Sequence, residues 1–333
     1  MDEPFEIDGT QIEPGQTKKI SIKVARLHSG TGINLDLKVY RSKNPGPTML
    51  VLGGVHGDEI NGVEIVRKAI TSKFFENLNC GSVIVIPLLN IYGFINFSRE
   101  VPDGKDVNRS FPGNQKGSLA SRVAWILFKK ILPLVDFGID FHTGGASRYN
   151  YPQVRYNIGD EASKQLAEAF APPVLICNKP ISKSLRAEAR KIDVPVIIYE
   201  GGEALRFNGF AIQEGLNGLL RVMKTHNMID EAPPQHLGTL EFSKSTWQRA
   251  ARSGIFVWEI SSGSYVKKGD LLGKIFEPHG KDSLRVTSRK SAYIIGHNNA
   301  PVVSQGDALF HFAFNDGFSL PEIYTELEPD SQD

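Results

Sequence analysis

The sequence has little cysteine, no excess of charge of either sign and no long apolar run. Its 333 residues include two cysteines, Cys80 and Cys177, which are too few for the disulfide framework of a small secreted protein. The 38 basic and 37 acidic residues leave a net charge of +1, which argues against a basic surface for nucleic acid or an anionic membrane. No run approaches the roughly 20 apolar residues of a membrane-spanning helix. We therefore predict a cytoplasmic protein with no nucleic-acid or membrane partner.

The pattern of apolar residues divides the chain into a central α/β part and two β-rich ends. Apolar strands alternate with amphipathic helices over residues 46–229, which predicts an α/β fold, a mixed and mostly parallel sheet flanked by helices. Residues 1–45 alternate apolar with polar side chains, as an N-terminal β segment packed on this central part would. The helical pattern of apolar residues is absent from residues 237–315, which predicts a small all-β C-terminal domain there. A tail at 316–333 follows.

The most informative stretch lies where the first apolar strand of the central part ends. Two glycines follow that strand, then come His56 and, three residues later, Glu59. A second apolar strand ends at His142, and the carboxyl ends of parallel strands meet at one edge of a sheet, where ligands bind. Imidazole and carboxylate groups are ligands of Zn²⁺, and a catalytic zinc usually has three protein ligands. The alternative for a His and a Glu three residues apart is a solvated helix start, but the two strand ends favour a metal site.

Four motifs occur in an order that is typical of one family. They are Gly53–Glu59, Asp106–Gly113, Asp140–Thr143 and Tyr199–Gly201. Together they resemble the succinylglutamate desuccinylase/aspartoacylase family, a branch of the zinc carboxypeptidase superfamily, over roughly residues 45–315. The resemblance implies a zinc-carboxypeptidase-like sheet, a β-rich C-terminal domain and one Zn²⁺ per chain.

The resemblance also implies roles for individual residues. His56, Glu59 and His142 would be the zinc ligands. Glu200 falls where the family places the general base, a carboxylate that accepts a proton from water and passes it to the leaving amine. Arg99 would stabilise the oxyanion of the tetrahedral intermediate.

Four further residues have implied roles around these groups. Asn108 and Arg109 match the pair that holds a substrate carboxylate, which suits the two parallel hydrogen bonds of a guanidinium. Asp106 and Asp140 would orient the zinc-bound histidines, because such a histidine usually donates its other N–H to a carboxylate or carbonyl.

The identity of the substrate remains open from the sequence. Relatives that act on substrates with a second carboxylate bind it with additional basic residues, and this chain has basic residues in the same region: Arg148, Arg155 and Lys179. The same region contains tyrosines that could line a pocket for an uncharged amide: Tyr149, Tyr151 and Tyr156.

We therefore predict a zinc-dependent amide hydrolase, a deacylase that releases an acyl group from an N-acyl amino acid or related small amide through a zinc-activated water. Its partner would be a small amide that bears a carboxylate. The enzymatic alternative is a metallocarboxypeptidase or amidase that acts on peptides, and a non-enzymatic one is a catalytically silent binding protein with the metal fold. The C-terminal part resembles a barrel-sandwich carrier domain, but the residues around Lys290 lack the context of an acceptor lysine. Whether the chain forms a homo-oligomer stays open.

Overall fold

Nineteen strands and six α-helices make up the computed structural model, which describes residues 5–26, 29–235, 238–280 and 282–316. The strands are β1 (Phe5–Ile7), β2 (Thr10–Ile12), β3 (Thr17–Arg26), β4 (Gly32–Arg41), β5 (Thr48–Gly53), β6 (Ser82–Ile86), β7 (Phe137–Gly144), β8 (Arg148–Asn157), β9 (Val174–Asn178), β10 (Val196–Glu203), β11 (Leu240–Phe242), β12 (Lys244–Arg249), β13 (Gly254–Trp258), β14 (Tyr265–Val266), β15 (Leu271–Phe276), β16 (Ser283–Thr287), β17 (Ala292–Asn298), β18 (Val302–Val303) and β19 (Ala308–Phe314). The α-helices are α1 (Ile60–Thr71), α2 (Ile91–Ile95), α3 (Leu119–Ile126), α4 (Glu161–Phe170), α5 (Leu185–Arg190) and α6 (Gly209–Thr225). Short 3₁₀ and π turns are found at Val107–Arg109, Leu127–Ile131 and Leu132–Leu134.

A 13-stranded mixed sheet forms the centre of the molecule. Its main path runs β12-β19-β17-β8-β10-β7-β5-β6-β4-β3, and β9, β11 and β14 pair off this path. The central strands β6, β5, β7 and β10 are parallel to one another. Every residue of β5, β6 and β7 is buried, because helices cover both faces of this part of the sheet. The predicted α/β fold with a mostly parallel sheet flanked by helices is confirmed.

The helices lie on both faces of the central sheet, and each packs its apolar side against the strands. Buried residues of α1, α4 and α6 pack together with one face of the central strands. Buried residues of α3 and α5 pack against the opposite face, together with the inward side chains of β3 and β4. The strands β3 and β4 are antiparallel and alternate buried with exposed residues, so the N-terminal segment extends the sheet beyond β6.

The C-terminal strands are antiparallel, and some of them continue the central sheet. Strand β17 pairs with β8, and β19 and β12 follow outward. Strands β16, β15, β13 and β18 form a separate four-stranded sheet, and its buried residues share one apolar core with those of β14, β17 and β19. This antiparallel region agrees with the β-rich C-terminal part that the sequence predicts. The domain boundaries themselves stay predictions, and Leu237 and residues 317–333 of the predicted tail lie outside the described residues.

Strand β8 joins the two parts of the molecule and contains an irregularity. Glu200 pairs with Gln153, and Gly202 pairs with Asn150, so two residues of β10 span the same length as three of β8. Pro152 lies within this bulge, where a residue without an N–H is tolerated. None of the helices in the described ranges is long and apolar enough to cross a membrane.

Candidate active site

His56 and Glu59 lie in the turn between β5 and α1. Strand β5 ends at Gly53, and Gly54 then adopts a φ of +61°, which glycine tolerates without strain. Glu59 is the N-cap residue of α1, so its carboxylate lies close to the carboxyl end of the strand. The side chains of His56 and Glu59 are buried at this edge of the sheet.

Strand β7 brings His142 to the same place. It is the parallel neighbour of β5, and its Phe141 pairs with Gly53, the last residue of β5. His142 therefore lies level with the turn that follows β5, although β7 continues to Gly144 and does not end at His142 as the sequence predicts. One oxygen of Glu59, Oε1, lies 2.6 Å from Nδ1 of His56, and the other, Oε2, lies 2.7 Å from Nδ1 of His142. The two Nδ1 atoms are 3.2 Å apart. The three side chains offer ligand atoms that all lie within 4.8 Å of one another, and they can hold a metal ion.

Each imidazole has one nitrogen, Nε2, that faces away from this cluster, and an aspartate contacts each of these two nitrogens. Asp106 lies 3.2 Å from Nε2 of His56, and Asp140 lies 2.8 Å from Nε2 of His142. A carboxylate at Nε2 favours the proton on that nitrogen, which leaves the Nδ1 lone pair facing Glu59. In this structure Nη1 of Arg99 lies 3.2 Å from Nδ1 of His56, so a positive charge already faces the point where the carboxylate and the two imidazoles converge. The donor set of two imidazoles and one carboxylate is one that Zn²⁺ takes.

The histidines and carboxylates of the cluster shift one another's pKa values towards the charged forms. Burial alone would raise the pKa of Glu59, but the two imidazoles outweigh it and hold that pKa well below its usual range. Burial would lower the pKa of His142, yet Asp140 and Glu59 raise it well above its usual value. The pKa of His56 is raised in the same way, against burial, by Glu59 and Asp106. Glu59 is therefore ionised, and the negative charge of the carboxylates favours a cation at the imidazoles.

Arg99 contacts the cluster directly. Its Nε and Nη2 donate to Oδ2 of Asp106 at 3.1 and 2.9 Å, and its Nη1 donates to Oε1 of Glu59 at 3.1 Å. Burial lowers the pKa of Arg99, but Glu59 and Asp106 oppose this effect and raise it overall. The guanidinium is charged and its side chain is 31% exposed, so it remains open to the cavity beside the cluster.

The predicted carboxylate-binding pair lies on the 3₁₀ turn that follows Asp106. The carboxylate of Asp106 accepts a hydrogen bond from the backbone N–H of Asn108 at 2.6 Å. The side-chain oxygen of Asn108 accepts from the backbone N–H of Leu185 at 2.8 Å, which joins this turn to the start of α5. Arg109 donates from Nη1 to the carbonyl of Asn108 at 2.8 Å. The side chain of Arg109 is 40% exposed, and its guanidinium lies at the open side of the site.

Glu200 is beside His142 on the neighbouring strand. Strands β10 and β7 are parallel, and Glu200 and His142 are partners in their register. The oxygen Oε2 of Glu200 accepts a hydrogen bond from Nδ2 of Asn150 at 2.9 Å. Nη1 of Arg155 lies 3.5 Å from Oε1. Both oxygens thus have partners on β8, a strand that the sequence analysis did not predict.

The predicted residues meet in one cavity of about 240 Å³. Its lining includes seven of them: His56, Glu59, Arg99, Asn108, Arg109, His142 and Glu200. The two remaining residues, Asp106 and Asp140, contact the histidines from behind. All nine predicted site residues therefore belong to one constellation, although eight of them come from four motifs widely separated in the sequence and Arg99 lies outside these motifs.

The cavity also contains basic residues outside the four motifs. Arg148 and Arg155 line it, whereas Lys179 is not among its described lining residues. Arg186, which the sequence analysis missed, lines it from α5 and is 4% exposed. Nη2 of Arg186 donates to Oδ1 of Asn178 at 2.6 Å. Burial and the nearby charge of Arg155 lower the pKa of Arg186 to about 10, so it is still a cation at neutral pH.

An aromatic pair from the C-terminal strands forms one side of the cavity. Trp247 on β12 and His311 on β19 stack with ring centroids 4.3 Å apart, and both line the cavity. Burial, assisted by Arg155, lowers the pKa of His311 to about 3, so its imidazole is neutral. The tyrosines suggested for a pocket are not among its described lining residues: Tyr149, Tyr151 and Tyr156.

Comparison with known proteins agrees with this constellation. The family model for the succinylglutamate desuccinylase/aspartoacylase catalytic domain matches residues 45–226, more than half of the chain. The chain belongs to this family. Family membership indicates an amide hydrolase of the deacylase type, as the four motifs predict.

Three proteins illustrate what the chain is similar to. The chain is 24% identical over 287 residues to an N-alpha-acetyl-L-2,4-diaminobutyric acid deacetylase of Halomonas elongata, covering 82% of each chain. Its fold is similar to a succinylglutamate desuccinylase/aspartoacylase structure from Rhodobacter sphaeroides, with a TM-score of 0.79, 24% identity and coverage of 90% and 95% of the two chains. The product-bound ectoine utilization protein EutE (DoeB) from Ruegeria pomeroyi gives a TM-score of 0.79 at 21% identity, with the same coverage. These structural similarities support the fold.

Proposed function

We propose that this protein is a zinc-dependent deacylase that cleaves the amide bond of an N-acyl amino acid or related small amide. The observation that carries the proposal is the position of Glu200 on the strand next to His142, in the same cavity as the cluster of His56, Glu59 and His142. A metal site, a carboxylate base and arginines within one small cavity are what hydrolysis of a carboxylate-bearing amide requires.

The metal ligands and the base have separate tasks. Zn²⁺ held by His56, Glu59 and His142 would polarise the scissile carbonyl and lower the pKa of a water molecule towards ~7. Glu200 accepts the proton of the attacking water on a carboxylate oxygen. Glu200 then donates that proton to the amide nitrogen as the C–N bond breaks, so that the products are a carboxylic acid and an amine.

The arginines act on the charges of the substrate. Arg99 donates hydrogen bonds to the carbonyl oxygen as it gains negative charge, an interaction that strengthens in the transition state. Asn108 and Arg109 bind the carboxylate of the amino-acid portion, because a guanidinium can donate two parallel hydrogen bonds to it.

The charge of the cavity favours an anionic substrate. Five arginines line it (Arg99, Arg109, Arg148, Arg155 and Arg186), against two carboxylates, Glu59 and Glu200. A substrate side chain with a positive charge, such as the free amine of the diaminobutyrate that the Halomonas relative deacetylates, would be repelled by this excess. We therefore expect N-acyl derivatives of acidic amino acids, or amides with an acidic acyl group, to be better substrates than acetyl-diaminobutyrate.

The peptide-cleaving alternative is less favoured by the size of the cavity. A volume of about 240 Å³ is below the roughly 300–1,000 Å³ of pockets that hold drug-sized ligands. Trp247 and His311 close one side of it. An N-acyl amino acid fits this space better than a peptide of several residues.

A substrate screen with a matched variant tests the proposal. The zinc-loaded protein is incubated with acetyl-, formyl- and succinyl-amino acids of acidic, neutral and basic type, and with short peptides, and release of free amine is measured. Glu200→Gln keeps the shape of the side chain but cannot accept a proton. We expect turnover of an acyl amino acid with an acidic group, a loss of about 100-fold or more in the variant, and the same zinc content in both proteins.

Two outcomes of this screen contradict the proposal. Turnover of peptides alone would support the carboxypeptidase alternative. Retention of full activity by Glu200→Gln would show that another group is the base.

A further inference from the structure

We propose that Asn150 is the positioning residue of Glu200, and that strand β17 of the C-terminal region fixes Asn150 in place. This inference rests on the proposed role of Glu200 as the base. It assigns the C-terminal strands a part in catalysis, in addition to closing the cavity.

Asn150 is the group that fixes the direction of the Glu200 carboxylate. Its Nδ2 donates to Oε2 of Glu200 at 2.9 Å, and its side chain is almost fully buried, at 5% exposure. Arg155 lies further from the other oxygen, at 3.5 Å. A base must be within hydrogen-bond reach of the proton that it abstracts, and an oriented carboxylate meets that requirement more often than a freely rotating one.

The bulge in β8 explains why Asn150 can reach Glu200. Glu200 pairs with Gln153 across the two strands, and Asn150 is three residues away on β8 but opposite Gly202. In a regular strand, a residue three positions from Gln153 would lie too far along β8 for its amide to reach the Glu200 carboxylate. Because the bulge shortens the distance along β10 to two residues, the Asn150 amide comes within hydrogen-bond distance.

Strand β17 covers the other side of Asn150. Gly296 is the partner of Asn150 in the register of β17 and β8. A Cβ atom at position 296 would lie 2.9 Å from the carbonyl oxygen of Tyr149 and 3.0 Å from Oδ1 of Asn150, closer than real Cβ contacts normally are. The absence of a side chain at Gly296 is therefore needed for Asn150 to stay where it is.

A second contact between the C-terminal region and β10 lies just beyond Glu200. Nδ2 of Asn299 donates to Oε2 of Glu203 at 2.5 Å, and the backbone N–H of Asn299 donates to the carbonyl of Ser147 at 2.7 Å. Trp258 in turn donates from Nε1 to Oδ1 of Asn299. These contacts hold the end of β10 and the loop before β8 at a fixed distance from each other. The hydrogen bond between Asn150 on β8 and Glu200 on β10 depends on that distance.

Steady-state kinetics on three variants test the inference, with the substrate that the wild-type protein turns over best. Asn150→Ala removes the donor, and Asn150→Asp keeps the shape but places an oxygen against Oε2 of Glu200. Gly296→Ala leaves the identities of Asn150 and Glu200 unchanged, but its Cβ displaces the Asn150 amide from the side of β17. We expect each variant to lower kcat by about 10- to 100-fold, a part of the 10²–10⁴-fold that a general base contributes, with KM changed less than about 2-fold and an unchanged zinc content.

Asn157→Ala is the matched control. Asn157 lies on the same strand and is 1% exposed, and its Nδ2 contacts Asp160, away from the cavity. A loss of kcat in Asn157→Ala as large as that in Asn150→Ala would show a general effect of disturbing β8, and would overturn the inference.

The double variants separate this inference from the proposed function. If Asn150 acts through Glu200, then Asn150→Ala causes no further loss of kcat in the Glu200→Gln background. An equal further loss there, or wild-type kcat in Asn150→Asp, would overturn the role of Asn150 while leaving Glu200 as the base. Wild-type kcat in Gly296→Ala would overturn the contribution of β17. Full turnover by Glu200→Gln alone would instead contradict the proposed function.

Discussion

Asp140 and Asp106 act on the candidate metal site through the imidazole nitrogens that face away from the cavity. Asp140 is fully buried and lies 2.8 Å from Nε2 of His142, whereas Asp106 also binds Arg99 and the backbone of Asn108. Asp140 is therefore the better residue for testing what an orienting carboxylate contributes, because its loss leaves the arginine and the 3₁₀ turn intact.

We predict that Asp140→Asn weakens zinc binding by about 10- to 100-fold, the usual cost of removing an orienting partner of a metal ligand. The amide keeps the shape of the side chain but loses the negative charge that favours a proton on Nε2 and a lone pair on Nδ1. Zinc affinity is measured by competition with a chromophoric chelator. Asp160→Asn is the control, because Asp160 is the N-cap of α4 and asparagine caps helices equally well. Equal zinc affinities of Asp140→Asn and the wild type would contradict the orienting role.

Individual residues of the site differ in how far the sequence can predict them. His56 and Glu59 follow the end of β5, and His142 lies near the end of the neighbouring strand β7. The order of parallel strands brings them to one edge of the sheet, and the structure places their ligand atoms within 4.8 Å. Arg186 and His311 belong to no motif in the sequence. Their importance depends on burial beside one cavity, which results from contacts between distant segments, and no local spacing indicates it.

At the scale of elements, the packing of α1 on β7 fixes the distance between Glu59 and His142. Gly62 of α1 lies against the backbone of Phe141, and a Cβ there would be 2.3 Å from its carbonyl oxygen. Only glycine allows the helix backbone to come this close to the strand, because the carbonyl oxygen of Phe141 cannot rotate away as a flexible side chain can. The close contact allows the N-terminal end of the helix to share one site with the strand.

We predict that Gly62→Ala destabilises the protein by about 1–3 kcal/mol, as overpacking of a buried contact does, and lowers its zinc affinity. Gly209→Ala at the start of α6 is the control, since a Cβ there meets no atom within 4 Å and alanine in a helix is neutral or stabilising by up to ~1 kcal/mol. Urea unfolding of both variants in the same metal state gives the comparison. A Gly62→Ala variant as stable as Gly209→Ala would mean that α1 can move away from β7 without cost.

Strand β8 is an element that the sequence does not predict. The parallel strands are continuous apolar runs, and the sequence predicts them well. Strand β8 instead contains Pro152 and several polar residues, a composition that argues against a central strand. It is accommodated through the bulge opposite β10 and through pairing with β17 from the C-terminal region, and both are long-range features.

At the scale of the whole molecule, charge is distributed unevenly. The chain as a whole has a net charge of +1, yet the cavity of the candidate site is lined by five arginines and two carboxylates. A near-zero net charge argues against a basic surface for nucleic acid, but composition cannot reveal a strongly positive site. The continuous sheet also joins the C-terminal strands to the cavity, which the loss of helical period after residue 237 does not indicate.

The central claim is that hydrolysis depends on a zinc ion held by His56, Glu59 and His142, and a metal titration tests it most directly. The protein is stripped with a chelator, Zn²⁺ is added back in small steps, and the rate of acyl amino acid hydrolysis is measured at each step. We predict no activity in the stripped protein, a linear rise in rate and a sharp end point at one Zn²⁺ per chain, with no recovery in His142→Ala. Full activity in the stripped protein, or equal recovery in His142→Ala, would contradict it.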